Sequence, residues 1–208
     1  MTVSETIYEE ITKLYPDAKC ELNYRKDYEL LIAVMLSAQT TDQSVNSVTE
    51  TLFNKYKSIK DFANVSIDEL ENDIRRIGLF RNKSKNIKSM SEIVVNQFNG
   101  IIPNTQESLQ DLPGVGRKTA NVYLAEFHHI PRIAVDTHVS RVSIRLGFAD
   151  EGDSPENIEK KLMNIYDENI WIDLHHKMIF FGRYFCKAKK PNCINCPILK
   201  YCKKPVLK

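Results

Sequence analysis

The densest set of reactive side chains closes the chain: Cys186, Cys193, Cys196 and Cys202, spaced C-x6-C-x2-C-x5-C. Thiolates at such intervals either wrap a metal centre or pair as disulfides. The first residues, MTVSETIYEE, hold neither a basic n-region nor an apolar h-region. That points to a cytoplasmic protein, where disulfides are disfavoured, so a metal is expected. Zinc sites usually present two close CxxC pairs, and only Cys193 and Cys196 form one here. One loop that delivers every sulfur suits an iron–sulfur cube, which takes one thiolate per iron. The spacing therefore favours iron–sulfur over zinc. A set of plain reduced cysteines is a poorer reading, because Pro191, Pro197, Pro205 and the nearby lysines build no core around them. Cys20 lies far away and reads as a packing residue.

A second constellation is LPGVGRKT, Leu112–Thr119. Pro113 ends one short helical segment, and Gly114 and Gly116 permit backbone angles closed to other residues. A new helix starts at that point, so its first N–H groups lack partners beside the positive end of the helix dipole. The result is an anion site, and a nucleic-acid phosphate is the natural occupant. A tight turn that merely uses two glycines is the alternative. Lys118 falls in the first helical turn, where the dipole opposes its charge. Taken alone, it reads as a lysine gripping a phosphate. A lysine amine can also act as a nucleophile that forms Schiff bases with carbonyl carbons. Asp136 follows the apolar run Ile133–Val135 and precedes a further helix. Its simplest role is an N-cap, but a carboxylate there could also stabilise a sugar cation or relay a proton.

The elements that must position these groups read as helices almost throughout. Val45, Val48, Leu52, Phe53 and Tyr56 share one helical face, with Asp42 as a candidate cap. Ser66–Glu69 has the pattern of a capping box, followed by Leu70, Ile74 and Ile77, with Gly78 as the stop. Met90, Ile93, Val94 and Phe98 form the next stripe, ended by Gly100. A short helix should open at Asn104 or Thr105 and reach Leu112, and another should run from about Gly116 to Phe127. Val139, Val142 and Leu146 mark a helix stopped by Gly147, Ser154-Pro155 starts one more, and Ile172–Phe185 is the last long one. The apolar run Leu30–Leu36 is too short to span a membrane and reads as a buried helix. An all-α protein is expected, with no repeat array and no long linker.

Net charge is only +2, so its distribution matters more than its sum. Six basic and no acidic residues lie between Arg75 and Lys88, and eight basic and no acidic residues between Arg183 and Lys208. Together these runs suggest a polyanion footprint, although either one alone reads as solvated surface. His128–His129 and His175–His176 are adjacent pairs whose side chains should diverge on a helix, so core or surface roles are expected for them.

Taken together, ELLIAVMLSAQTTD, IGLFRNKSKNI, LPGVGRKTANV, AVDTHVSRV, HHKMIFFGRYFC and the cysteine loop resemble the helix–hairpin–helix DNA glycosylases, and within them the endonuclease III family. The resemblance covers nearly the whole chain. It implies a two-lobed all-α fold, with a helical-barrel lobe at 22–132 that carries the hairpin at about 105–127. The other lobe would join 1–21 to 133–208 and hold a [4Fe–4S] cluster in the loop 186–202, with DNA in the cleft between lobes. It further implies a bifunctional DNA glycosylase and abasic-site lyase that flips a damaged pyrimidine out of the duplex. Lys118 matches the Schiff-base lysine and Asp136 the catalytic aspartate. Gln39 matches the residue that fills the space left by the flipped nucleotide, and Leu79 the wedge entering from the other side. Leu112, Gly114, Val115, Gly116 and Thr119 match the DNA-contacting hairpin, and His138 would line the base pocket. Cys186, Cys193, Cys196 and Cys202 match the cluster ligands.

Tyr123, Ala125 and Glu126 depart from the aliphatic residues expected after the hairpin, which touches fine substrate preference. The implied partner is double-stranded DNA holding damaged bases or abasic sites, bound by a cytoplasmic monomer with no membrane contact and no added recognition domain. A monofunctional mismatch glycosylase for adenine or thymine is the first alternative, and Lys118 argues against it. A non-catalytic DNA-binding module is the second, and the pairing of Lys118 with Asp136 argues against that.

Overall fold

The computed structural model describes residues 1–206, and among them every regular element is helical. In chain order these are α1 (Val3–Leu14), α2 (Asp27–Leu36), α3 (Asp42–Lys55), α4 (Ile59–Asn64), α5 (Ile67–Asp73) and α6 (Phe80–Gln97). The chain continues with α7 (Gln106–Gln110), α8 (Arg117–His128), α9 (Thr137–Leu146), α10 (Pro155–Ile165) and α11 (Trp171–Phe180). None of these helices is long and apolar enough to cross a membrane. Lys208, counted in the second basic run, lies outside the described residues.

Two compact units form, one from residues 21–128 and one from 1–20 with 129–208. The first is built around α2, whose residues are all buried except the first. A helix apolar on every side must be enclosed by others, and α3, α6 and α8 pack on it. Leu52, Phe53, Phe62, Leu70, Met90, Val94 and Tyr123 complete this core. The second unit joins Ile7 and Ile11 of α1 to Val139, Val142 and Leu146 of α9, Ile158 and Leu162 of α10, and Leu174 and Met178 of α11.

Several element ends differ from the expectations, each for a local reason. Thr41, not Asp42, caps α3, its hydroxyl accepting from the Ser44 N–H. Ser66 caps α5 through the Glu69 N–H, but Glu69 turns to an ion pair with Lys55 at 2.8 Å and does not close a reciprocal box. That helix stops at Asp73, before Gly78, because Ile74 leaves helical geometry and a turn follows. Leu79 then caps α6 with φ +61°, a left-handed conformation rare outside glycine. The last helix is also shorter than expected: after Phe180 the chain widens into a π turn over Phe181–Phe185. Rings of His175 and His176, both buried, sit 4.3 Å apart and do not diverge.

The π turn is packed closely on α9. A Cβ added at Gly182 would stand 2.8 Å from the His138 Cβ and 3.2 Å from its Cα and carbonyl oxygen. Backbone cannot yield as a flexible side chain does, so Gly182→Ala should destabilise the protein by about 1–3 kcal/mol. Denaturant unfolding of the purified variant checks this, and an unchanged midpoint would remove the tight contact.

Candidate active site

In the unit of residues 21–128, the segment read from the sequence as a candidate anion site forms the hairpin between α7 and α8. Leu112 and Val115 are buried, and the Val115 N–H donates to the Leu112 carbonyl at 3.1 Å, closing the turn. Their side chains therefore anchor the hairpin, leaving its backbone for contact. The two glycines have different reasons. Gly114 has φ +79°, and a Cβ there would press to 2.8 Å from Asn86 of α6, so the fold itself demands glycine. Gly116 has no such angle and nothing within 4 Å of where its Cβ would be. No intramolecular contact requires glycine at that position, and an open backbone there suits close approach by a ligand. Across the hairpin the Gln106 side-chain amide donates to Asn121 Oδ1 at 3.1 Å, joining α7 to α8.

Lys118 is the second residue of α8 and is half-buried. Gln39 and Leu79 lie in the same unit, both exposed and both in left-handed backbone, with φ +56° and +61°. The basic run Arg75–Lys88 is less of a surface patch than its sequence suggests. Lys83 is buried and donates to the carbonyls of Leu36 at 2.9 Å and Ala38 at 2.7 Å and to Thr40 Oγ1 at 3.2 Å. Lys88 donates to the Ala63 carbonyl at 2.7 Å and pairs with Glu92 at 3.0 Å. These two charges complete helix-end carbonyls or pair locally, which corrects the expectation that the whole run faces a polyanion.

In the other unit, Asp136 caps α9. Its Oδ1 accepts from the N–H groups of His138 and Val139, both at 2.8 Å. Both bonds use one oxygen, so the cap holds the carboxylate in a fixed orientation while its second oxygen makes none of the protein bonds of the cap. The plain capping role and a chemical role are thus compatible. His138 Nδ1 sits 3.2 Å from Arg141, whose guanidinium also donates to the carbonyls of Gly182 at 2.6 Å and Cys186 at 3.1 Å. Arg145, one turn further, donates to the Lys187 carbonyl at 2.8 Å and stands 3.2 Å from Cys186 Sγ. These two arginines tie the helix begun by Asp136 to the start of the cysteine loop. The sequence reading missed both, although their i, i+4 spacing placed them on one helical face.

Cys186, Cys193, Cys196 and Cys202 line one small cavity walled by Leu146, Phe181, Ile198 and Leu199. Cys186 follows the π turn directly, its N–H donating to the Phe181 carbonyl at 2.7 Å, and Cys196 closes a turn on the Cys193 carbonyl. Burial pushes the Cys196 and Cys202 thiols up, and the neighbouring cysteines push the same way. Four soft sulfurs share this largely apolar pocket with only Arg145 and Lys204 as cations at its wall, and four thiolates would need a further cation to compensate them, so the donor set fits a thiolate-ligated metal centre. Among the described residues no three His, Cys, Asp or Glu side chains are placed to hold a single metal ion.

Comparison with known proteins places this geometry. The model of the HhH-GPD superfamily of base excision DNA repair proteins matches residues 32–168. Endonuclease III of Bacillus subtilis is 48% identical over 199 residues, covering 96% of this chain and 91% of that protein. Endonuclease III of Escherichia coli is 42% identical over 187 residues, covering 90% and 88%. A trapped endonuclease III–DNA covalent intermediate superposes with a TM-score of 0.94 at 50% identity, over 98% of this chain and 97% of that one. A thermostable thymine-DNA glycosylase superposes at 0.83 with 25% identity, over 97% and 95%. With all-helical architecture, hairpin and cysteine loop in place, the chain belongs to the HhH-GPD superfamily of base excision DNA repair proteins and, within it, to the endonuclease III family.

Proposed function

We propose that this protein is a bifunctional DNA glycosylase and abasic-site lyase of base excision repair, acting on oxidised pyrimidines in double-stranded DNA. What carries the reading is the covalent DNA intermediate of a relative 50% identical over nearly the whole chain, taken with a lysine in the first turn of α8. The hairpin backbone from Leu112 to Thr119 grips a phosphate and positions the duplex without reading its sequence. Gln39 and Leu79 enter the base stack as the damaged nucleotide leaves it, and His138 lines the pocket that receives the base.

The Lys118 amine attacks the sugar C1′, and the bond from C1′ to the base nitrogen breaks as the base departs with a proton. Ring opening gives an imine between Lys118 Nζ and C1′. Loss of a C2′ proton then expels the 3′ phosphate by β-elimination, and water releases the lysine. Asp136 stabilises the positive charge that develops on the sugar and relays protons, its orientation fixed by the cap bonds of its Oδ1. The endonuclease III family implies an iron–sulfur cluster. We assign it as [4Fe–4S], held by Cys186, Cys193, Cys196 and Cys202, supplying a rigid anchor for a basic loop rather than hydrolytic chemistry. The protein works as a monomer in the cytoplasm, where DNA is reached without crossing a membrane.

Borohydride should trap a covalent complex with abasic DNA. Lys118→Gln should abolish trapping while DNA binding persists, and normal trapping by that variant would remove the lysine from the chemistry. Asp136→Asn keeps a good N-cap, so it should fold normally yet excise about 10²- to 10⁴-fold more slowly. Gly116→Ala meets no protein atom, so its stability should change by less than about 1 kcal/mol, while its DNA affinity falls. Equal affinity in a salt titration would show that nothing approaches that backbone. The purified protein should be brown, with about four irons and four sulfides per chain; stoichiometric zinc in a colourless sample would overturn the cluster assignment.

A further inference from the structure

We propose that Lys83 is a positioning residue for nucleotide flipping: its buried ammonium holds the loop that presents Gln39 and links it to the turn that presents Leu79. This rests on the roles given above to Gln39 and Leu79. The geometry comes from one helix. Leu79 caps α6, and the Lys83 N–H donates to the Leu79 carbonyl at 3.1 Å, so the backbone of Lys83 closes the turn beneath the wedge. Its side chain reaches the other loop. The ammonium donates to the carbonyls of Leu36 and Ala38 and to the Thr40 hydroxyl, using its three protons on the residues that precede and follow Gln39. The two turns are neighbours, since a Cβ at Gly78 would lie 3.9 Å from Thr40 Oγ1.

A buried cation needs a reason. Lys83 is 7% exposed, it makes no ion pair among the described residues, and burial pushes its ammonium down from the usual lysine range. Charged groups are rarely enclosed unless every proton is bound, and three neutral oxygens provide that here. Leu36 ends α2, so its carbonyl has no intrahelical partner, and the lysine charge also suits the negative end of that helix. What the bonds hold in place is a strained backbone. Gln39 and Leu79 are exposed non-glycine residues with positive φ, a conformation that persists only where its surroundings over-determine it. One ammonium bonded on both sides of Gln39 supplies that over-determination, and the same residue's backbone does so for Leu79.

The test compares two reactions of one protein. Excision of a base-paired oxidised pyrimidine requires flipping, whereas borohydride trapping on an abasic single strand requires only the amine and an open sugar. Lys83→Met should slow the first roughly tenfold or more, as small misplacements of positioning groups do, and leave the second within about twofold. If Lys83→Met does not fold, Lys83→Arg retains charge but offers a planar fork to a pyramidal site, and the same split is expected of it. Gln39→Ala is assayed in parallel and combined with the lysine variant. Because Lys83 acts through Gln39, the double variant should lose no more than the worse single variant. Paired-lesion excision at the wild-type rate, equal loss of both reactions, or additive losses would each overturn the inference. If Gln39→Ala itself excises normally, the role assigned to Gln39 fails, which is a distinct result.

Discussion

A helix cannot satisfy its own terminal N–H and C=O groups, and in this protein the candidate functional side chains stand at those ends. Gln39 follows the C-terminus of α2, Leu79 caps α6, Lys118 sits in the first turn of α8, Asp136 caps α9, and Cys186 ends the π turn after α11. The constraint is double. Each end needs a partner for its backbone, and each partner is a polar group held in a defined place. Asp136 answers both needs with one carboxylate, spending Oδ1 on the two N–H groups of α9. At the start of α8 the corresponding N–H groups follow a glycine that no contact in the fold requires, and they form the proposed anion site.

Rigidity behind these ends comes from packing in each unit. α2 is buried on all sides, so the position of its C-terminus is fixed by surrounding helices rather than by solvent. The Lys83 ammonium then completes the end of α2, adding a polar anchor where the apolar packing stops. Lys177 shows the other way to bury a lysine: it pairs with Asp173 at 2.5 Å. The contrast separates a charge kept for a pair from one kept for carbonyls.

In the unit of residues 1–20 and 129–208, α9 joins the candidate catalytic carboxylate to the cysteine loop. Its N-terminus holds Asp136, and its arginines reach the carbonyls of Gly182, Cys186 and Lys187. The cavity lined by the cysteines is floored by Leu146 and Phe181, which belong to the core of that unit. A metal centre there would be continuous with the core, so its loss would loosen α9 as well as the loop.

The order of residues along the chain was sufficient for the presence and type of most helices, though not for every cap and end: Thr41 rather than Asp42 caps α3, and α5 stops at Asp73. Helical stripes, the glycine pair with its lysine and the aspartate after an apolar run each depend on neighbours within a turn or two, the cysteine spacing lies within one short segment, and local backbone geometry obeys local chemistry. The family followed from the same windows taken together. What the tertiary structure alone decided is whom each long side chain meets. Lys83 belongs by sequence to a basic run, yet its partners lie 43 to 47 positions away, and only packing turns it inward. Arg141 and Arg145 find the cysteine loop more than 40 positions on, for the same reason. The left-handed angles at Gln39 and Leu79 oppose residue propensity, so no local rule announces them; the surrounding fold imposes them.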